Sequence, residues 1–193
     1  MVNILAIMST LTKLPPVETP NLLVCEMALR HSKAFAGFMM QSRYQRYTAL
    51  RLRSEAEVGA FVARTVARQG DDRRNLFHLA AEERSSGEAI GDGFMICQRD
   101  NVIELGWGVH PAMWSMGFGK EIGSALLGLS FERLKAKRVW CKIMTANKAS
   151  AKLAARIGMR LEKQVADYAV GDGRLENVDI YAMTAEEYFD LSY

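Results

Sequence analysis

Between Asn75 and Val109 the apolar residues fall into three short runs, 76–81, 89–97 and 102–109, separated by Ser85-Ser86-Gly87 and by Arg99-Asp100-Asn101. Runs of this length bounded by turn formers predict strands, and connections this short join antiparallel neighbours. A three-stranded meander is therefore expected. After Pro111 a glycine-containing loop opens into a helix with Ile122, Ala125, Leu126 and Leu129 on one face, ending before the basic run Lys135 to Arg138. A meander that feeds such a loop differs from the parallel strand-helix-strand units that carry the common phosphate-binding loops.

The flanking segments complete a mixed pattern. Residues 22–29 read as a first strand, and Phe35, Phe38 and Met39 recur at helical spacing. Ser54 with Glu57 forms a capping box, and Val58, Phe61, Val62, Thr65 and Val66 trace one helix face ending near Gly70. Val139, Cys141 and Ile143 alternate as a fifth strand. Asn147 suits the N-cap of a helix carrying Leu153, Ala154 and Ile157, with Gly158 at its C-terminal end. Two last strands meet at Gly171-Asp172-Gly173, and Thr184 with Glu187 caps a short final helix.

The chain has 193 residues, 49% of them hydrophobic and 24% charged, enough for one well-buried core. Residues 1–18, closed by Pro15, Pro16 and Pro20, are expected to be a loose arm before a single domain over 19–193; Met8 is an alternative start. The first residues lack a basic flank and a cleavage site, and no apolar run approaches the ~20 residues that a membrane helix needs. The net charge of +3 is dispersed, which argues against a nucleic-acid partner. Cys25, Cys97 and Cys141 form no C-x-x-C pair, so neither a disulfide framework nor a metal site is expected, and a cytoplasmic setting fits. Cys141, mid-strand with no His at a suggestive spacing, reads as a buried structural thiol.

The loop Trp114, Ser115, Met116, Gly117, Phe118, Gly119, Lys120 carries the chemistry. Glycines at 117 and 119 let a ligand approach the backbone where a helix begins, and free N–H groups there attract anions. Taken alone, they equally allow a tight turn. Trp114 and Glu121 break the P-loop pattern, and Ile122 breaks the dinucleotide fingerprint.

W-S-M-G-F-G-K-E resembles the R/Q-x-x-G-x-G/A donor loop of the GCN5-related N-acetyltransferases (GNAT), in the form with Trp at the first position seen in the branch that acetylates ribosomal-protein N-termini. Glu104 to Pro111, E-L-G-W-G-V-H-P, looks like that branch's fourth strand, and Asn147 to Met159 is similar to its N-x-x-S…L-G-F helix. The resemblance runs from about Thr19 to the C-terminus. It implies an α/β fold with a central, mostly antiparallel sheet of about seven strands, splayed between the fourth and fifth and flanked by helices. It also implies direct transfer from acetyl-CoA to an amine, without an acyl-enzyme or a metal.

On that resemblance, Trp107, Gly108 and Val109 offer free backbone groups to pantetheine, and an N–H of this strand polarises the thioester carbonyl. Trp114, Ser115, Met116, Gly117, Phe118, Gly119 and Lys120 hold the pyrophosphate, Asn147 bonds the pantetheine, and Ser150 meets the departing thiolate. Ala154 stands where many relatives have an acidic Tyr. Glu104 is the first candidate base and His110 the second. Lys148, Lys152 and Arg156 are further cations near the donor, and His31 and His78 receive no role. The acceptor is expected to be a protein N-terminal α-amine. Alternatives are a small amine (a polyamine, an amino acid derivative or an aminoglycoside), or a CoA-sensing module without turnover. The chain is expected to be a monomer or homodimer.

Overall fold

A computed structural model of the chain describes residues 13–72, 74–171 and 173–191. Among these residues eight strands form one sheet: β1 (Val17–Glu18), β2 (Leu22–Glu26), β3 (Leu76–Glu83), β4 (Ala89–Cys97), β5 (Val102–Val109), β6 (Arg138–Met144), β7 (Arg160–Ala169) and β8 (Leu175–Thr184). Their order is β1-β2-β3-β4-β5-β6-β8-β7, and only the β5–β6 pair is parallel. The fold is the expected mixed α/β arrangement with one strand more. Val17 pairs with Val24 and Glu18 with Leu23, so β1 comes from the segment expected to be a loose arm. Leu14 just before it is buried in the core. The rest of that arm, residues 1–12, lies outside the described residues.

Among the described residues six α-helices flank the sheet: α1 (Ser32–Met39), α2 (Ser42–Gln45), α3 (Glu55–Ala67), α4 (Phe118–Gly128), α5 (Lys148–Arg156) and α6 (Ala185–Asp190). Of these α2 was not foreseen: one turn carries no periodicity. Ser54 accepts from the Glu57 N–H and Thr184 from the Glu187 N–H, as the capping boxes predict. A π-helical turn, Leu129–Arg133, extends α4 where Ser130 Oγ donates to the Leu126 carbonyl at 2.7 Å.

The alternation of each strand divides the core between two faces. On one, Ile103 and Leu105 of β5 and Val139, Cys141 and Ile143 of β6 pack under α4 and α5. On the other, Ala80 of β3 meets Phe35, Phe38 and Met39 of α1 and Val58 and Val62 of α3.

The sheet opens in its middle. β5 pairs with β4 from Cys97↔Ile103 through Gly91↔Val109, but with β6 only at Val102↔Arg138, Ile103↔Val139 and Glu104↔Trp140. On its other edge β6 pairs with β8 along its whole length, from Arg138↔Thr184 to Met144↔Val178, while its pairing with β5 stops at Trp140. Residues 105–109 therefore present one backbone edge to a wedge-shaped gap.

Candidate active site

Three elements converge at the head of this gap. A Cβ added to Gly119, in the first turn of α4, would lie 2.5 Å from Leu153 Cδ1 of α5 and 3.7 Å from Val109 Cγ2 at the end of β5. The α4 N-terminus is thus pressed between the open strand and α5. Ser150 sits one turn before Leu153, on the same side of α5. Asn147 caps this helix, its Oδ1 accepting from the Ser150 N–H at 3.2 Å.

The loop before α4 is held in an unusual backbone shape. Trp114 Nε1 donates to the Val109 carbonyl at 2.9 Å, tying the loop to the end of β5, and Arg43 of α2 lies 4.9 Å over the Trp114 ring. Ser115 and Gly117 both take positive φ, 68° and 94°. Such left-handed residues turn successive N–H groups inward to form an anion-binding concavity. A Cβ on Gly117 would meet nothing within 4 Å, so the space beside the loop is open.

Unlike α3, α5 and α6, helix α4 has no side-chain cap. Its own acid, Glu121, is drawn away: it accepts from Thr19 Oγ1, from the Asn21 N–H at 3.0 Å and from Asn21 Nδ2 at 2.7 Å. Burial raises the Glu121 pKa, but these hydrogen bonds outweigh it and hold the carboxyl below its usual range. The helix dipole is left to an external anion. These features fit a pyrophosphate, and the open β5 edge fits an extended amide chain. Lys120, Lys148, Lys152 and Arg156 are all exposed.

On the opposite face of the gap stand the even residues of β5 and β6. Glu104, at the last paired position, is 7% exposed; its Oε1 accepts from Lys142 and its Oε2 lies 3.4 Å from Gln98 Nε2. Lys142 in turn lies beside the rings of Trp140 and Tyr168. His110, just past β5, accepts the Ala112 N–H on Nδ1 at 3.0 Å and packs against Phe38. Cys141 is buried on the other face, and burial pushes its thiol up to about 12. Ala154 is fully buried between α5 and the core and offers no polar group.

Residues 21–160 match the acetyltransferase (GNAT) domain family. The chain belongs to this family. The GNAT relative YoaA of Bacillus subtilis, an uncharacterized N-acetyltransferase, is 24% identical over 171 residues, 88% of this chain and 96% of that protein. A GNAT acetyltransferase of Bacillus anthracis shares the fold with a TM-score of 0.78 at 18% identity, covering 89% of this chain and 99% of that one. RimL, a ribosomal L7/L12 α-N-protein acetyltransferase solved with coenzyme A, superposes with a TM-score of 0.77 at 16% identity, covering 88% and 98%. The chain is thus an acetyltransferase. Among its described residues no helix is long and apolar enough to cross a membrane.

Two polar clusters of this GNAT domain were not found from sequence. Tyr44 and His78 both bond the carboxylate of Asp92, against Gly108 of β5. The other joins Cys25, His31 and Glu82, whose ligand atoms lie within 4.8 Å of one another. There Glu82 also accepts from Arg30, and His31 Nδ1 accepts the Ala28 N–H at 3.0 Å, which places the ring proton on Nε2 towards Glu82. The three groups satisfy one another.

Proposed function

We propose that this acetyltransferase binds acetyl-CoA along the open edge of β5 and passes its acetyl group directly to a protein N-terminal α-amine. The observation that carries the donor reading is the coincidence of the free 105–109 edge with the uncapped start of α4. Trp107, Gly108 and Val109 would pair with the pantetheine amides. Trp114, Ser115, Met116, Gly117, Phe118 and Gly119 would enclose the pyrophosphate through backbone N–H groups, with Lys120 adding charge.

In this reading the amine nitrogen attacks the thioester carbon, the C–N bond forms, the C–S bond breaks, and the thiolate departs beside α5. Ser150 would donate a hydrogen bond to the leaving sulfur. Asn147 would divide its amide between the helix cap, made with Oδ1, and the pantetheine, reached by Nδ2. Holding both reactants in the gap supplies most of the acceleration. Glu104, the first candidate base from the sequence, is held by Lys142 and would have to give up that partner before it could accept a proton.

An α-amine of a polypeptide is favoured over a polycation because the two acids of β8 that could form an acidic pocket are already engaged. Asp179 accepts from Thr145 Oγ1 and from Gln164 Nε2, each at 2.8 Å, and Glu176 pairs with Arg174 at 2.8 Å. The neighbouring RimL, named for an α-N-protein substrate, supports the same choice. A thiol-release screen with acetyl-CoA against N-terminal peptides, spermidine and aminoglycosides tests it. Release with free-amine peptides, abolished by N-terminal blocking, is the expected result; release with polyamines alone would overturn the acceptor. Ser150→Ala should slow transfer by roughly 10²-fold if the hydroxyl protonates the thiolate.

A further inference from the structure

The donor loop and the helices α4 and α5 occupy one face of the sheet, so an acceptor amine reaches the gap from the other. On that other face the β5 backbone is backed by a chain of three polar side chains from three different elements. Asp92 of β4 is 5% exposed, and each of its oxygens has one partner: Oδ1 accepts from the Tyr44 hydroxyl, and Oδ2 lies 2.8 Å from His78 Nε2. Aromatic rings fix the two donors. Phe38 lies 5.1 Å from the Tyr44 ring, and Phe61 and Phe94 lie 5.0 and 6.0 Å from the His78 ring.

This network meets the open strand at Gly108. A Cβ on Gly108 would stand 2.4 Å from Tyr44 Oη and 2.6 Å from Asp92 Oδ1, so the absent side chain of Gly108 is what admits the network. Asp92 and Gly108 are also direct cross-strand partners. A carboxylate buried in a sheet is costly unless it is fully hydrogen-bonded. An apolar pair would fill this space at lower cost, and the polar chain is placed against Gly108, within the free backbone of residues 105–109.

We propose that Tyr44, Asp92 and His78 form the route by which the acceptor amine loses its proton, a deepening that rests on the acetyl-CoA reading above. Tyr44, whose hydroxyl lies over Gly108 of the open strand, donates its own proton to Asp92 and keeps oxygen lone pairs for an incoming N–H. As the C–N bond forms and the C–S bond breaks, the amine proton passes to the Tyr44 oxygen and the Tyr44 proton to Asp92 Oδ1. The Asp92–His78 pair holds the additional proton until water removes it, while the departing thiolate, hydrogen-bonded by the Ser150 hydroxyl, takes up a proton from water. Burial, and then the Asp92 charge, push the Tyr44 phenol well above its usual value, so it hands the proton on without standing as a phenolate. Glu104 is differently placed. Its charge is already balanced by Lys142 on the neighbouring strand.

The test compares Tyr44→Phe, Asp92→Asn, the double variant and Glu104→Gln, using acetyl-CoA with whichever acceptor the parent accepts. Tyr44→Phe keeps the ring that packs on Phe38 and removes one oxygen. The groups that bear on the pH profile are Tyr44 and Arg43 on α2, His78 on β3, Asp92 on β4, Glu104 on β5, Lys142 on β6, and His110 after β5. Both single variants should lower kcat by roughly 10²-fold and leave acetyl-CoA affinity, measured calorimetrically, within about twofold of the parent. The double variant should be no slower than the worse single, because the two act in series. The pH limb of kcat should be lost in Asp92→Asn and kept in Glu104→Gln. Parent-like kcat in a folded Tyr44→Phe protein, additive losses in the double variant, or loss of the limb only in Glu104→Gln would overturn the route. Failure of the parent to bind acetyl-CoA would instead overturn the donor reading on which it rests.

Discussion

Cys25, Cys97 and Cys141 are the chain's only thiols, and none is set up to react. Burial pushes Cys25 up to about 12, with Glu82 adding to it; burial pushes Cys97 to about 11 and, with the Glu104 charge beside it, Cys141 to about 12. Because the thiolate is the nucleophile, the native protein should react negligibly with DTNB at pH 8, and three thiols should titrate after denaturation. A fast-reacting native thiol would contradict the burial. The Glu82 cluster gives a second expectation at this scale. Burial pulls Glu82 up, but hydrogen bonds from His31 and Arg30 outweigh it and leave its carboxyl lowered, while burial lowers His31. Both groups bind fewer protons folded than unfolded below their ordinary values of 4.5 and 6.5, so stability falls as pH drops through that window. Urea unfolding from pH 8 to 4 should show this loss, and Glu82→Gln should flatten the lower part of the curve while lowering stability at pH 7. An unchanged acid limb in Glu82→Gln would place the titration elsewhere.

At the scale of elements, the proposed donor site depends on how closely α4 and α5 approach. Gly119 faces Leu153, and a Cβ on Gly123 would lie 2.9 Å from Ile157 Cδ1. Gly119→Val should push α5 and its Ser150 away from β5, weakening acetyl-CoA binding at least tenfold and costing about 1–3 kcal/mol of stability by overpacking. Parent affinity in this variant would show that the spacing does not matter. These elements were legible because their signals are local: Ser54 and Glu57, Thr184 and Glu187, and Asn147 each announce a helix start within four residues. The Tyr44–Asp92–His78 chain was not, since 48 residues separate Tyr44 from Asp92. His78 and Asp92 are brought together by a register shift between Ala81 and Glu82, which places Ala80 opposite Asp92 and His78 opposite Phe94, so that the two polar residues lie diagonally on one face; the turn at 85–87 alone does not set this pairing. Polar residues inside otherwise apolar strands are the signal for such a pair.

The whole molecule is organised around the opening in its sheet. The parallel β5–β6 pair forms where the chain leaves β5, crosses through α4 and returns, and it persists for only three registered positions. Sequence pattern located both strands but could not show where their pairing ends, because free and paired edges use the same residues. Gly106 and Gly108 hinted at it only through the family they resemble. The segment after α2 meets the β7–β8 turn: Arg174 Nη2 lies 3.5 Å from the Thr48 carbonyl, and Gly171 abuts Ala49, a contact between residues more than a hundred positions apart. Everything at this scale depends on the gap and the α4 start receiving acetyl-CoA. Calorimetric titration of acetyl-CoA into the parent and into Gly117→Trp tests this most directly, with circular dichroism to check that the variant is folded. Saturable one-site binding by the parent, weakened at least 100-fold in the folded variant, is the predicted result; equal affinity in the two proteins would contradict the account.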